Sequence, residues 1–350
     1  MPVNSHYVPQ FILRNFYNSS EEKVQYANFE EQTVQARNTR SVFSEKGYYP
    51  DELENDLCHK VEHAFANLFH NKLENSGSSI TLSADELFLI KKYLIITNIR
   101  YKYEESSDEK AFYEAIGQSN CKDFFGDINR ILECNTIDSV MDIINRNPLE
   151  MLTPDGIGDS YLWAETKDVL HDYLLFVKAR GNEKFVIPDI GKAVYEGPMS
   201  RKKMYGLLEL GLQGKIELLR IAQMLSPRDY SVYPLGKNFA IISMSVFFKM
   251  FTESEMKANV ILPPECPTLS SILGFGSSDV ITPPKVKLGR NGKEYKYIVQ
   301  QLGPMDIAHF NALMIAEAKN HLVFSDKNDI KKSVEIARDY TDRKLDFLLQ

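Results

Sequence analysis

The sequence predicts an α+β protein: a helical N-terminal half with a small hairpin, a mixed or antiparallel sheet in the C-terminal half, and a closing amphipathic helix. Three observations predict it. Apolar residues recur at helical spacing through residues 51–103, strand-like runs dominate 171–300, and helical spacing returns after 304. Helices grouped before strands point away from regular βαβ winding. The expected division is a mainly helical subdomain, 1–150, and a strand-rich subdomain, 151–350, packed as one unit, with the boundary in the loop 148–158. The length of 350 residues suits two domains or one large one.

Each element has its own signal. Pro9 opens a short helix to Tyr17, because proline suits the first helical position. Lys23 to Asn28 and Gln32 to Arg37 read as a hairpin around Phe29-Glu30-Glu31. Gly47-Tyr48-Tyr49-Pro50 is a break. A helix then runs from Asp51 to about Leu73, with Leu53, Leu57, Val61, Phe65 and Leu68 as its stripe. Residues 75–79 form a loop, and Ser83-Ala84-Asp85-Glu86 is a capping box opening a helix to about Tyr103. That helix is apolar almost all round and therefore central. Shorter helices follow at 109–116, 121–132 and 139–145.

Strands are expected at His171 to Ala179 and Lys184 to Pro188, joined through Arg180-Gly181-Asn182. A second pair, 231–234 and 239–245, turns at Gly236, and a third, 285–288 and 294–300, flanks Asn291-Gly292, a strong hairpin signal. Pro304 to Asn320 is helical, His321 to Phe324 a strand, and Asn328 to Leu349 the closing helix, its stripe Ile330, Val334, Ala337, Tyr340, Leu345 and Leu348.

Composition narrows the class without naming a reaction. At 43% hydrophobic and 25% charged the chain is an ordinary globular one, which excludes collagen, coiled-coil rods and acidic disordered tails. No basic segment leads into an apolar run at Met1, and Lys91-Lys92 interrupt the longest apolar stretch, so neither a secretory signal nor a membrane span is expected. Cys58, Cys121, Cys134 and Cys266 form no Cys-x-x-Cys pair, which suits a reducing cytoplasm. The net charge of −7 argues against non-specific duplex binding. The basic stretches 201–203 and 285–296 read as solvated surface. No motif names a cofactor, and a protein partner or a small anionic ligand both remain compatible.

Four groups of polar residues ask for an explanation. Gln10 and Arg14 lie side by side at i and i+4, with His6 just before their helix. That trio reads as an anion pocket, with Arg14 holding charge and His6 titrating near neutrality. The alternative is an anchoring arginine paired with a carboxylate. Glu54, Cys58 and Glu62 recur every four residues beside the apolar stripe; they are either a solvated face or turn inward to Arg14 or Arg100. Arg100 falls in an apolar sector of its helix and must snorkel, pair or bind a ligand. His59-Lys60-Val61-Glu62-His63 matches His-x-x-Glu-His, in which His59 and His63 would ligate zinc, Glu62 would activate water and Glu133 could serve as third ligand. Five residues in a helix rich in His and Glu are a cheap match. Asp189, at a strand end, is either a cleft residue or a turn residue. Gly274-Phe275-Gly276 lacks the third glycine of a dinucleotide loop, and no Gly-x-Ser-x-Gly is present.

The opening segment, read with the rest, resembles a largely bacterial family, the domain of unknown function 4238. Its His-x-Val-Pro-Gln-x-x-Leu-Arg-x-Phe pattern is matched by His6, Val8, Pro9, Gln10, Leu13, Arg14 and Phe16. Its repeated hydrophobic–Glu pairs are matched by Leu53-Glu54 and Val61-Glu62, and the arginine near its next helix end by Arg100. Thr97 stands where the family often has glutamine, and Asp189 is what remains of Ser-Asp-x-Pro. Residues 233–235 and 311–325 also fit. The resemblance implies that His6, Gln10, Arg14, Glu54, Glu62 and Arg100 belong to one constellation, leaves His59 and His63 outside it, and implies no reaction.

Two functions follow as expectations. One is a hydrolase or nuclease acting on a phosphate-containing substrate. The other is a non-catalytic binding or sensor protein of a bacterial defence or stress system, its polar residues forming a closed structural network.

Overall fold

The computed structural model describes residues 4–18, 21–100, 124–144, 162, 166, 168–170, 172–195, 229–244 and 294–350. The fold is α+β, with mixed and antiparallel sheets. The elements expected at 109–116 and 285–288 and the boundary loop 148–158 lie outside the described residues.

Strand β1 (Asn4–His6) pairs antiparallel with β4 (Ser44–Lys46), and helix α1 (Gln10–Arg14) follows Pro9. The expected hairpin is β2 (Val24–Asn28) and β3 (Thr33–Arg37). Asn28 closes its turn by accepting the backbone N–H groups of Glu30 and Glu31, as short amide side chains favour. The capping box is formed: Ser83 N donates to Glu86 Oε2 at 2.7 Å, and Glu86 N to Ser83 Oγ at 3.2 Å. It opens α3 (Ala84–Arg100), whose flanks are almost all buried. α4 (Phe124–Glu133) packs against it, and α5 (Ile137–Ile144) follows.

Lys91 and Lys92, which interrupt the apolar run in sequence, are buried in the middle of α3. Lys91 Nζ donates to the carbonyls of Val169, Leu170 and Asp172 at 2.7–3.0 Å. Lys92 Nζ donates to Leu132 and Cys134 at 2.8 and 2.7 Å. Carbonyls at the ends of helices otherwise stay orphaned, and they are the acceptors each ammonium finds as it enters the core.

A six-stranded sheet runs β5 (Ser79–Ser83), β11 (Glu294–Leu302), β6 (Tyr173–Ala179), β10 (Phe239–Met244), β9 (Tyr230–Gly236) and β8 (Ala193–Tyr195). β11 runs parallel to β6; its other neighbour, β5, is antiparallel. A four-stranded antiparallel sheet orders β3, β2, β12 (His321–Phe324) and β7 (Ile187–Pro188). Strands from both halves of the chain therefore share both sheets.

Three expectations are corrected. The two strands joined through Gly181, at φ +104°, lie in different sheets, and the second, expected over 184–188, is only β7 at Ile187–Pro188. Glu183, between them, accepts Ser333 N at 2.8 Å. The loop expected at 75–79 ends at Ser78, and β5, a strand not expected there, begins at Ser79. The closing helix is broken: after α6 (Pro304–Glu317) come a 3-10 turn (Lys327–Ile330), α7 (Lys331–Ala337) and a second 3-10 turn (Asp346–Leu349). Asp339, Thr341 and Asp342 follow α7, residues whose side chains compete for the backbone and stop helices. Leu345 and Leu348 are buried, while Tyr340 is exposed.

Asp189 is spent on the backbone rather than on a cleft. Its carboxylate accepts Lys319 N at 2.9 Å, Asn320 N at 2.8 Å and His321 N at 3.0 Å, pinning the turn from α6 into β12. Asp189→Ala strands those donors, and a cost of about 2–3 kcal/mol is expected in urea denaturation.

Candidate functional site

The site is built by a helix with an unusual period. Leu53, Leu57, Val61, Phe65, Phe69 and Leu73 are all buried, each four residues after the last. In an α-helix a step of four turns the stripe by about 40°, so five steps would carry it about 200° around the axis. The backbone avoids this with two π-helical turns. α2 runs as α-helix through Asp51–Leu57, widens at Cys58–Glu62, returns to α-helix at His63–Leu68 and widens again at Phe69–Leu73. A π turn holds more residues than an α turn, which offsets the drift. The same correction keeps Glu54, Cys58 and Glu62 in one row beside the stripe.

Arg100, the last residue of α3, reaches that row. It is 2% exposed, and its guanidinium is held on two nitrogens. Nη1 donates to Glu62 Oε1 at 2.5 Å, and Nε donates to Tyr49 Oη at 3.2 Å. Tyr49 Oη in turn donates to the Arg100 carbonyl at 2.8 Å, satisfying a carbonyl at the helix end. Tyr49 is placed by its own N–H on Ser5 Oγ at 3.3 Å, which ties the clamp to β1. Burial lowers the Arg100 pKa, but Glu62 and its other neighbours outweigh that, so the guanidinium stays charged.

His6 and Glu54 complete the cluster. The His6 backbone N–H lies 3.5 Å from Glu54 Oε1. Burial pushes the Glu54 carboxyl above its usual range, Arg100 opposes the shift, and Glu62 adds to it. Burial also pushes the His6 imidazole below its usual range, against the carbonyls of Thr39 and Arg40, with Arg100 adding to the fall. Burial thus shifts both groups toward their neutral forms, His6 downward and Glu54 upward.

The cluster is not closed. Arg100 Nη2, Glu54 Oε2 and His6 Nε2 are all buried atoms with no hydrogen-bond partner. Buried polar atoms are nearly always paired, since each unpaired one costs about 1–3 kcal/mol. Three in one cluster follow a pattern: one part of each side chain or residue is held by the fold, and one polar atom is left for something else. His6, Glu54, Cys58 and Glu62 are half-buried as residues, while the three unpaired atoms themselves are buried.

The remaining candidates lie elsewhere. Gln10 and Arg14 are brought together, with Arg14 Nη2 donating to Gln10 Oε1 at 2.7 Å, but Arg14 is exposed and joins neither carboxylate. Arg14→Ala is expected to change the urea midpoint by no more than about 0.5 kcal/mol equivalent. His59 and His63 are exposed, their ring centroids 5.6 Å apart, while Glu62 turns away to Arg100 and Glu133 pairs with Lys60 at 2.6 Å. Among the described residues no group of three or more His, Cys, Asp or Glu is placed to hold a metal. Thr97 donates to the Tyr93 carbonyl at 2.9 Å within α3. Cys58 is a free thiol whose pKa burial and both glutamates raise, so it is not an activated nucleophile.

Tyr49 is the participant that sequence reasoning missed. Its segment, Gly47-Tyr48-Tyr49-Pro50, carries a turn signal that masks a buried hydroxyl. A tyrosine just before a helix that carries inward glutamates was the available clue.

No helix among the described residues is long and apolar enough to cross a membrane. No curated protein and no solved structure matches the chain. A family model described as protein of unknown function (DUF4238) matches residues 4–328, a span that holds every member of the cluster, and the chain belongs to that family.

Proposed function

We propose that the cluster is the centre of a hydrolase that activates water by acid–base catalysis. One observation carries this reading: two unpaired acceptors, Glu54 Oε2 and neutral His6 Nε2, lie with one unpaired donor, Arg100 Nη2. A water molecule has two O–H donors for the two acceptors. Arg100 Nη2 then faces the oxygen of the bond under attack, where negative charge develops. The clamp of Glu62 and Tyr49 fixes that donor in advance, so little reorganisation accompanies the reaction.

The phosphate-containing substrate expected from the sequence is one class for this centre, and the sensor role of a bacterial defence or stress pair is the competing function. A sensor whose polar residues were only structural would have a saturated network, as around Lys91 with its three carbonyls; the three unpaired atoms favour the hydrolase. The test is a panel of nitrophenyl esters, nitroanilides and nitrophenyl phosphates given to wild type, Glu54→Gln and His6→Asn. Release of nitrophenol or nitroaniline by wild type, lost in both folded variants, is the expected result. No release from any probe sinks the proposal.

A further inference from the structure

We infer that the bond cut at this centre is an uncharged carboxamide rather than a phosphate ester. The inference rests on the hydrolase reading and deepens it by naming the substrate class.

The first argument is charge. Arg100 is paired with Glu62 at 2.5 Å, so its positive charge is already matched, and Glu54 adds a second carboxylate beside it. The centre is therefore neutral or negative. A transferring phosphoryl group spreads charge over three oxygens and is stabilised by several cations or donors at once. Bidentate arginine recognition of such a group needs two free N–H edges, and here Nη1 and Nε are engaged. Nη2 is the one guanidinium nitrogen without a partner, and an N–H of it suits one carbonyl oxygen.

The second argument is the count of donors and acceptors. With its attacking water a phosphate diester also supplies O–H donors to the two acceptors, but it brings two unesterified oxygens to the single guanidinium nitrogen left without a partner. A carboxamide with its attacking water brings one acceptor and several N–H and O–H donors, so all three unpaired atoms are satisfied.

The third argument is the leaving group. Water attacks the carbonyl carbon and gives a proton to Glu54 Oε2, while the carbonyl electron pair moves to oxygen opposite Arg100 Nη2. As the C–N bond breaks and the carbonyl re-forms, the nitrogen takes that proton from Glu54. The products are a carboxylic acid and an amine or ammonia, and Glu54 returns to its starting state. Nitrogen leaves poorly without a proton, and burial of Glu54 raises its affinity for one.

The experiment uses the full chain. p-Nitroacetanilide and bis(p-nitrophenyl) phosphate are compared as substrates for wild type and Glu54→Gln, with thermal unfolding as the check on folding. Acetamide is titrated against the His6 imidazole resonances by NMR, with His6 assigned through His6→Asn. Acetamide should shift the His6 ring, and the anilide should be hydrolysed with a fall of at least about 100-fold in Glu54→Gln. Hydrolysis of the phosphate diester alone, with no acetamide shift, overturns the carboxamide and leaves the hydrolase standing. No hydrolysis of either probe or of the wider panel overturns both.

Discussion

Arg100→Met is expected to destabilise the protein by about 3–5 kcal/mol, because it removes one partner of a buried ion pair and strands the other. The lost guanidinium leaves Glu62 without its cation at 2.5 Å and leaves the Tyr49 hydroxyl without its donor. The Glu62 side chain is 16% exposed, so partial hydration pulls the cost toward the lower end. Arg100→Met combined with Glu62→Gln should recover a good part of the loss, since a pair replaced together leaves no bare charge. Urea midpoints for the four corners of that cycle measure the coupling. A single-variant cost below about 1 kcal/mol would mean that water reaches Glu62 freely and that the clamp does not hold the arginine.

Much of this was legible in the sequence, for physical reasons that differ by element. The capping box at Ser83 and Glu86 was readable because it is local: both hydrogen bonds close within four residues. Arg100 was readable because a charge in an apolar sector demands a partner, and that demand does not depend on knowing the fold. The row Glu54, Cys58 and Glu62 was visible, yet its direction was not. Spacing by four suggests a drifting stripe on an ideal helix, and only the π turns turn it into a straight one. The persistence of that spacing over Leu53 to Leu73 was the signal for those turns. Arg14 misled because its neighbour Gln10 satisfies it at the surface, an outcome with the same i, i+4 signature as a pocket. The β6–β7 connection misled because Arg180-Gly181-Asn182 is a sound turn, while the placement of the chain after it rests on contacts such as Glu183 with Ser333, 150 residues apart. Unpaired atoms have no sequence signature at all, since pairing is a property of the folded cluster.

Glu54→Gln separates activity from stability, and the two should move in opposite directions. If Glu54 moves the proton, its amide should lose about 10²- to 10⁴-fold in turnover, the usual contribution of a positioned acid or base. Stability should rise at neutral pH. The Glu54 carboxyl has a folded pKa above its ordinary 4.5, so its ionised form is disfavoured by folding. Such a group contributes fully below its unfolded pKa and loses that contribution as pH rises through the folded pKa. Glutamine cannot ionise, and its Oε1 can still accept the His6 N–H, so the variant avoids that loss. Its advantage should therefore be largest above the folded pKa and vanish below about pH 4.5. His6 acts separately: its folded pKa is depressed, so both proteins should weaken together as pH falls through 6.5 toward that pKa. Thermal unfolding of both proteins from pH 4 to 8, with turnover on the most rapidly cleaved probe, tests all three statements. A variant that is more stable and inactive at pH 7 marks Glu54 as a residue kept at the expense of stability, as working sites often are. A variant less stable at every pH would instead make Glu54 part of the scaffold, and the unpaired Oε2 would have to be explained without a substrate.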